Sequence, residues 1–221
     1  ESIVMLKNDG VLPLAPDMRK LYLTGPNAAS VTALIANYYG ISDRITTVLE
    51  GIAGRIGDTT IVDYRPGALL HHPKANPMDW AGFEAKTCDA VVAVVGLDNT
   101  MEGEEGDAIA SAQCGDRADI ALPDHQVEFV RSLCGRGVPV ILVVMAGCAV
   151  ALGDLHDLAA AVLYAWYPGE AGGEAVADIL FGDAAPSGKL PVTVPFSTED
   201  LPPFDAYAMA GRTYRYMEKE P

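Results

Sequence analysis

Positive charge is scarce in this sequence. Fifteen Lys and Arg stand against 30 Asp and Glu, a formal net charge of −15. Such a surface repels a phosphate backbone and excludes nucleic acid as a partner. Long hydrophobic runs are missing too. The longest apolar stretch, Val138 to Leu152, is broken by Pro139 and Gly147 and is too short for a membrane span. Cysteine is sparse: Cys88, Cys114, Cys134 and Cys148 include no CxxC pair. They form no zinc-ligand pattern with His71, His72, His125 and His156, so no metal is expected. Cys88, Cys134 and Cys148 lie at the edges of apolar runs and read as buried thiols, which fix no compartment. There is no signal-peptide pattern, and Glu1-Ser2-Ile3-Val4-Met5-Leu6-Lys7 reads as mid-protein sequence. The chain is therefore expected to be a piece of a longer polypeptide.

What is present is ample apolar material. Half of the 221 residues are hydrophobic and 20% are charged, with 22 Gly and 15 Pro spread along the chain, a globular composition with a sizeable core. Short β-branched runs alternate with amphipathic segments as far as residue 195. Leu21–Thr24, Thr60–Tyr64, Ala90–Val95, Val140–Val144 and Ala161–Trp166 read as strands. Three of these are apolar throughout, as parallel strands covered on both faces should be. Between them, Ser30 can cap a short helix burying Val31, Leu34 and Ile35. Thr47 and Glu50 have capping-box spacing, and Asp79 can cap a helix with Trp80 and Phe83 inside. Asp124 opens a helix with Val127, Val130 and Cys134 on one face, stopped by Gly135, and Glu174–Phe181 forms another, ending at Gly182. This alternation predicts a three-layer α/β sandwich around a mainly parallel sheet, with flavodoxin- or Rossmann-like layering. Residues 196–221 read as an irregular tail.

Ligands of such sheets meet the loops at the carboxyl ends of the strands. Gly25-Pro26-Asn27, Gly96-Leu97-Asp98-Asn99 and Tyr167-Pro168-Gly169-Glu170 are the candidates. The second opens a long acidic loop holding Asp98, Glu102, Glu104, Glu105 and Asp107, threaded by Gly96, Gly103 and Gly106. Three readings compete for it. It can be a solvated acidic loop. It can be a calcium loop, with Gly103 at the sixth position but Ile109 where the twelfth requires Glu. It can also carry a general acid/base carboxyl on a mobile segment. Gly169–Glu174 sits where a phosphate loop would be but has no Lys, and Glu170 and Glu174 would repel an anion, so its glycines read as helix–strand packing. No GxSxG elbow is present. His71-His72 reads as solvated, and Trp166-Tyr167 as a closure of the core rather than a sugar platform.

Taken in order, these residues resemble one family. Ser2-Ile3-Val4-Met5-Leu6-Lys7-Asn8-Asp9-Gly10, Gly25-Pro26-Asn27-Ala28 and Asn37-Tyr38-Tyr39-Gly40 resemble the opening of the second domain of family 3 glycoside hydrolases, the β-glucosidases and β-xylosidases. Val94 to Glu104 resembles the acid/base loop of the xylosidase-like branch, and Asp116-Arg117…Leu122-Pro123 the element that closes it. Trp166-Tyr167-Pro168-Gly169-Glu170 and Ser187-Gly188-Lys189-Leu190-Pro191 resemble the strongest signatures of that domain. Gly211–Tyr216 resembles the segment before a fibronectin-like third domain.

The resemblance implies a retaining, exo-acting β-glycosidase acting on a β-xyloside or β-glucoside, with no cofactor and no metal. It implies a (β/α)8 barrel preceding this domain in the same polypeptide and carrying the aspartate nucleophile, which is absent from this chain. The stretch alone is then expected to be inactive. Glu102 occupies the matching place for the general acid/base. The insertion Gly106–Gly115 leaves Glu104 and Glu105 as alternates. The Asp98-Asn99-Thr100 sequence favours a xyloside, and a periplasmic or secreted setting is favoured over a cytoplasmic one. The alternative from another class is a non-catalytic sugar-binding or structural α/β module.

Overall fold

The computed structural model describes residues 1–217 apart from 16, 74–79 and 105. The described residues form six strands: β1 (Val4–Asn8), β2 (Lys20–Thr24), β3 (Ile61–Arg65), β4 (Ala90–Gly96), β5 (Val140–Met145) and β6 (Ala161–Tyr164). They make one sheet in the order β1-β6-β5-β4-β2-β3. Every neighbouring pair is parallel except β1 with β6. The antiparallel edge strand β1 lies within the segment read from sequence only as an opening motif.

The helices are α1 (Thr32–Ile35), α2 (Val48–Arg55), α3 (Trp80–Ala85), α4 (Asp124–Cys134), α5 (Leu155–Leu158), α6 (Gly172–Phe181) and α7 (Thr213–Tyr216). Alternate strand residues divide between two cores, as the two-residue period of a strand requires. Leu21, Leu23, Val92, Val94, Ile141 and Val143 pack under α2 and α6 with Ile52, Val176 and Leu180. Tyr22, Val91, Ala93, Leu142 and Val144 pack under α4 and α5 with Phe129, Leu133 and Leu155. The three-layer α/β sandwich follows directly from the apolar runs.

Local expectations fare unevenly. The capping box forms: Glu50 N donates to Thr47 Oγ1 at 3.3 Å, and Thr47 N to Glu50 Oε2 at 2.8 Å. Ser30 Oγ accepts from Ala33 N at 3.1 Å, but Val31 faces solvent and only Leu34 of the three apolar residues is fully buried. Trp80 and Phe83 are 50% and 61% exposed, contrary to the expectation that they lie inside. The buried face of α3 is instead Ala81, Gly82 and Ala85, small residues that let a short helix lie close to its neighbours. Asp79 lies outside the described residues. In α4 the buried positions are Gln126, Phe129, Val130 and Leu133, which moves Val127 and Cys134 to the flank. The tail holds a 3-10 turn at Thr198–Asp200 and the short α7, and none of its described residues is buried, Pro195 being the last buried residue before it.

The glycines of Gly169–Glu174 do serve close packing, but of helix on helix rather than helix on strand. Helices α2 and α6 cross on glycine: a methyl on Gly173 would stand 1.9 Å from Thr47 O, and one on Gly51 would stand 2.1 Å from Gly173 O. Substituting Ala at Gly173 or Gly51 is expected to cost about 3 kcal/mol through backbone overlap. Gly54 lies on the same helix with open space around it. Gly54→Ala is expected to add about 0.5–1 kcal/mol through helix propensity. Urea denaturation separates these effects, and a Gly173→Ala protein as stable as its parent would contradict the close crossing.

Candidate active site

Strand order places the site. The chain runs from β2 outward to β3, then returns to the other side of β2 as β4. The crevice between the carboxyl ends of β2 and β4 is thus the topological switch point, where open parallel sheets bind ligands. The two strand ends are joined directly. Asn27 Nδ2 donates to Leu97 O at 2.8 Å and Asn27 N to Val94 O at 3.2 Å. Gly25, at φ +102°, passes so close to β4 that a Cβ would stand 2.0 Å from Val94 O. Gly96 makes the same kind of approach to β5, with a Cβ position 1.9 Å from Met145 O. Its peptide is clasped by the fully buried Gln126, whose Oε1 accepts from Gly96 N and whose Nε2 donates to Gly96 O, both at 2.9 Å. The same Nε2 also donates to Leu70 O, at 3.0 Å. Sequence reasoning passed over Gln126. Its signal was a polar residue in register with the apolar face of α4.

Beyond Gly96 the acidic residues separate by direction. Asp98 turns inward and is 5% exposed. Its Oδ1 accepts from Thr100 N at 2.9 Å and Thr100 Oγ1 at 2.6 Å, and its Oδ2 accepts from Thr32 Oγ1 at 3.2 Å. Since the Thr100 hydroxyl gives its proton to Asp98, His71 Nε2, 2.7 Å away, is the donor to Thr100 Oγ1. His71 is therefore tied to this turn rather than simply solvated.

Glu102 is half-buried and also faces inward. Its Oε2 accepts from Gly147 N at 2.8 Å and its Oε1 from Cys148 N at 3.1 Å; the Tyr167 hydroxyl donates to Oε2. The Glu102 carbonyl accepts from Asn37 Nδ2 at 2.8 Å. Asn37 lies between Ala36 and Tyr38, both with left-handed backbone at φ 52° and 57°. Tyr167, read from sequence as a core closure, thus serves the acidic loop with its polar end.

Glu104 points the other way. It is exposed, and the open Tyr38 hydroxyl bonds to its carboxylate, which pushes the phenol pKa up. Glu104 and Tyr38 line a groove of about 540 Å³ together with Asn37, Gln113 and Asp116. Glu105 lies outside the described residues. The insertion folds back over the loop: Gly106 N donates to Cys114 O, and Ala110 N to Thr100 O at 2.8 Å. Arg117 closes it, with Nη1 3.0 Å from Cys148 Sγ and Nη2 donating to Ala121 O at 2.6 Å. Asp119 Oδ1 accepts from Ala121 N and from Thr198 Oγ1, both at 2.7 Å, so the tail is fastened to the closing element. Those bonds, the Ala121 amide first, hold the Asp119 carboxyl below its ordinary pKa.

Among the described residues, no group of three or more His, Cys, Asp and Glu is arranged to hold a metal ion. None of their helices is long and apolar enough to cross a membrane. The thiols differ sharply. Burial, followed by the neighbouring Glu102, pushes Cys148 up to about 11. Burial also raises Cys88 and Cys134, while Cys114 is exposed. At pH 8 roughly one Cys148 in a thousand is then thiolate, the reactive form. Iodoacetamide at pH 8 is expected to label Cys114 at least tenfold faster than Cys148, read by peptide mass spectrometry. Equal rates would mean that Cys148 is not enclosed beside Glu102 and Arg117.

Comparison with known proteins identifies the family. The chain is 35% identical over its whole length to beta-D-xylosidase 3 of Arabidopsis thaliana, of which it covers 28%. It is 33% identical over 97% of its length to the periplasmic beta-glucosidase of Salmonella typhimurium, of which it covers 30%. Among solved structures, a β-glucosidase from Erythrobacter marinus superposes on 90% of this chain at a TM-score of 0.79 and 32% identity, the match covering 29% of that protein. The chain thus spans less than a third of the length of these relatives. The sequence profile of the glycosyl hydrolase family 3 C-terminal domain matches residues 3–220, and the chain belongs to that family.

Proposed function

We propose that this chain lends the general acid/base to a retaining β-glycosidase whose nucleophile lies outside residues 1–221, and that Glu104 carries the proton. The observation that supports this most is the division of the acidic loop. Glu102 spends its carboxylate on two backbone amides and a phenol, whereas the carboxylate of Glu104, two residues on, accepts from no backbone amide of the described residues and lies on the groove beside Tyr38. Sequence reasoning put Glu102 first and Glu104 second; accessibility of the carboxyl favours the reverse order. A group that must protonate a leaving oxygen and then deprotonate water has to reach the substrate, and its oxygens have to be available. In a retaining enzyme the nucleophile carboxyl would stand about 5–5.5 Å from Glu104.

The exposed Tyr38 ring beside Glu104 offers an apolar face to a sugar ring, and a neutral sugar meets no repulsion from a chain of net charge −15. A β-xyloside is the first substrate class and a β-glucoside the second, released from the non-reducing end. The match to xylosidases over the full chain, and the Asp98-Asn99-Thr100 turn, favour that order. The partner is a preceding barrel domain of the same polypeptide, and the chain alone turns over no substrate. Residues 1–195 form the sandwich and 196–221 lead out of it, a division supported by the lack of any buried residue beyond Pro195 among those described.

In the full-length enzyme, Glu104→Gln is expected to cut kcat/KM at least a hundredfold on aryl β-xylosides with poor leaving groups. A dinitrophenolate departs without a proton, so the dinitrophenyl xyloside should be attacked at close to the normal rate. The glycosyl-enzyme then accumulates for want of a base. Azide, a nucleophile that needs no base, should restore turnover and yield a β-xylosyl azide. A Glu104→Gln enzyme that treats both leaving groups like the wild type would remove Glu104 from the chemistry.

A further inference from the structure

Glu102 lies at the meeting point of four strand-end loops. Its carboxylate accepts from the Gly147 and Cys148 amides after β5 and from the Tyr167 hydroxyl after β6. Its carbonyl accepts from Asn37 in the connection after β2, and its own amide donates to Asp98 O at 3.0 Å after β4. Burial and the adjacent Glu102 push the Tyr167 phenol pKa up, so Tyr167 keeps its proton and remains the donor. Tyr167 reaches inward because Trp166 holds a left-handed backbone at φ 60°. A bulky residue keeps such a conformation only where its surroundings impose it. Here Trp166 Nε1 donates to Ser2 O at 3.1 Å, and the indole packs against Tyr164 with ring centres 4.6 Å apart.

From this fixed point only Gly103 separates Glu102 from Glu104, and Gly103 is itself packed, its Cβ position 2.9 Å from Asn99 O. Two residues of chain span at most about 7 Å, so whatever fixes Glu102 bounds the region Glu104 can visit. On the reading in which Glu104 carries the proton, we infer that Glu102 and Tyr167 are positioning residues. They form a carboxylate–phenol latch that holds Glu104 where the leaving oxygen will be. The latch acts through Glu104 and touches neither substrate nor the reacting atoms.

The test is a set of variants in the full-length enzyme. Tyr167→Phe removes one hydrogen bond while keeping the ring that packs on Gly147, and so is expected to fold. It should slow kcat/KM about tenfold on a poor leaving group, the worth of a hydrogen bond to a charged group. It should change the dinitrophenyl xyloside less than about twofold, because that substrate needs no acid. Glu102→Gln should act in the same direction and more strongly. Neither variant should yield a xylosyl azide, since the Glu104 carboxylate remains in place. The deciding readout is the Glu104→Gln background, where a residue acting only through Glu104 has nothing left to position. Adding Tyr167→Phe there should cost nothing further on the poor leaving group, whereas general structural damage would multiply in full. Full multiplication, equal losses on both leaving groups, or wild-type rates in both latch variants would overturn the latch while leaving Glu104 as acid/base. A Glu102→Gln enzyme that forms the azide product would make Glu102 itself the acid/base and overturn the latch. If Glu104→Gln shows neither the leaving-group split nor the azide product, the reading of Glu104 fails and the latch falls with it.

Discussion

A carboxylate brought into the edge of a protein must find hydrogen-bond donors, and the donors within reach of Glu102 are the backbone amides that end β5 and the phenol that follows β6. Much of the site depends on that requirement. The two amides, Gly147 and Cys148, are free to donate because β5 ends at Met145. Gly147 leaves room for the Tyr167 ring, which would lie 2.8 Å from a Cβ at that position. Burial and the adjacent Glu102 raise the Cys148 thiol against the opposing pull of Arg117, whose contact with Cys148 Sγ holds the loop-closing element against β5. Asp98 repeats the solution on a smaller scale one turn earlier, where Thr100 and Thr32 supply the donors.

The acidic loop therefore contains two kinds of carboxylate. Asp98 and Glu102 face the protein, are met by donors and shape the loop. Glu104 and Asp107 face outward. Like charges set close together repel, and directing them to opposite sides of the backbone lets the loop remain compact. The insertion from Gly106 to Gly115 adds to this by folding back onto Thr100 and burying Ala108. The groove beside Tyr38 is thus framed by a loop whose inner side is fastened and whose outer side presents charge.

Much of the fold is legible in the amino-acid sequence. The fully apolar runs at Ala90–Val95 and Val140–Val144 announce central parallel strands, because burial on both faces leaves no room for alternation. Thr47 and Glu50 announce their helix start through a local hydrogen-bond pattern that needs no tertiary context. What sequence misses is what depends on neighbours distant along the chain. Trp80 and Phe83 look like a buried face, but the short α3 packs through its small residues. The edge strand β1 gives a weak pattern because only Val4 of its five residues is fully buried. Glu102, Glu104 and Glu105 are indistinguishable as letters. The difference between the first two comes from donors 45 and 65 residues away, Gly147 and Tyr167, which periodicity cannot place. Gln126 is hidden for the same reason, its partners being Gly96 at the end of β4 and Leu70 within the loop after β3.

The division of labour within the loop can be read in one labelling measurement. If the substrate is the proposed β-xyloside, N-bromoacetyl β-xylosylamine seats its xylose ring in the substrate site and carries an alkylating carbon to where the leaving oxygen would be. The full-length enzyme, inactivated with this reagent, can be digested and the modified carboxyl located by tandem mass spectrometry. The expected adduct is an ester on Glu104, protected by excess xylose, with Glu102 unmodified in its ring of donors. An adduct on Glu102, or on a carboxyl outside residues 98–117, would contradict the assignment of Glu104 as the group that moves the proton.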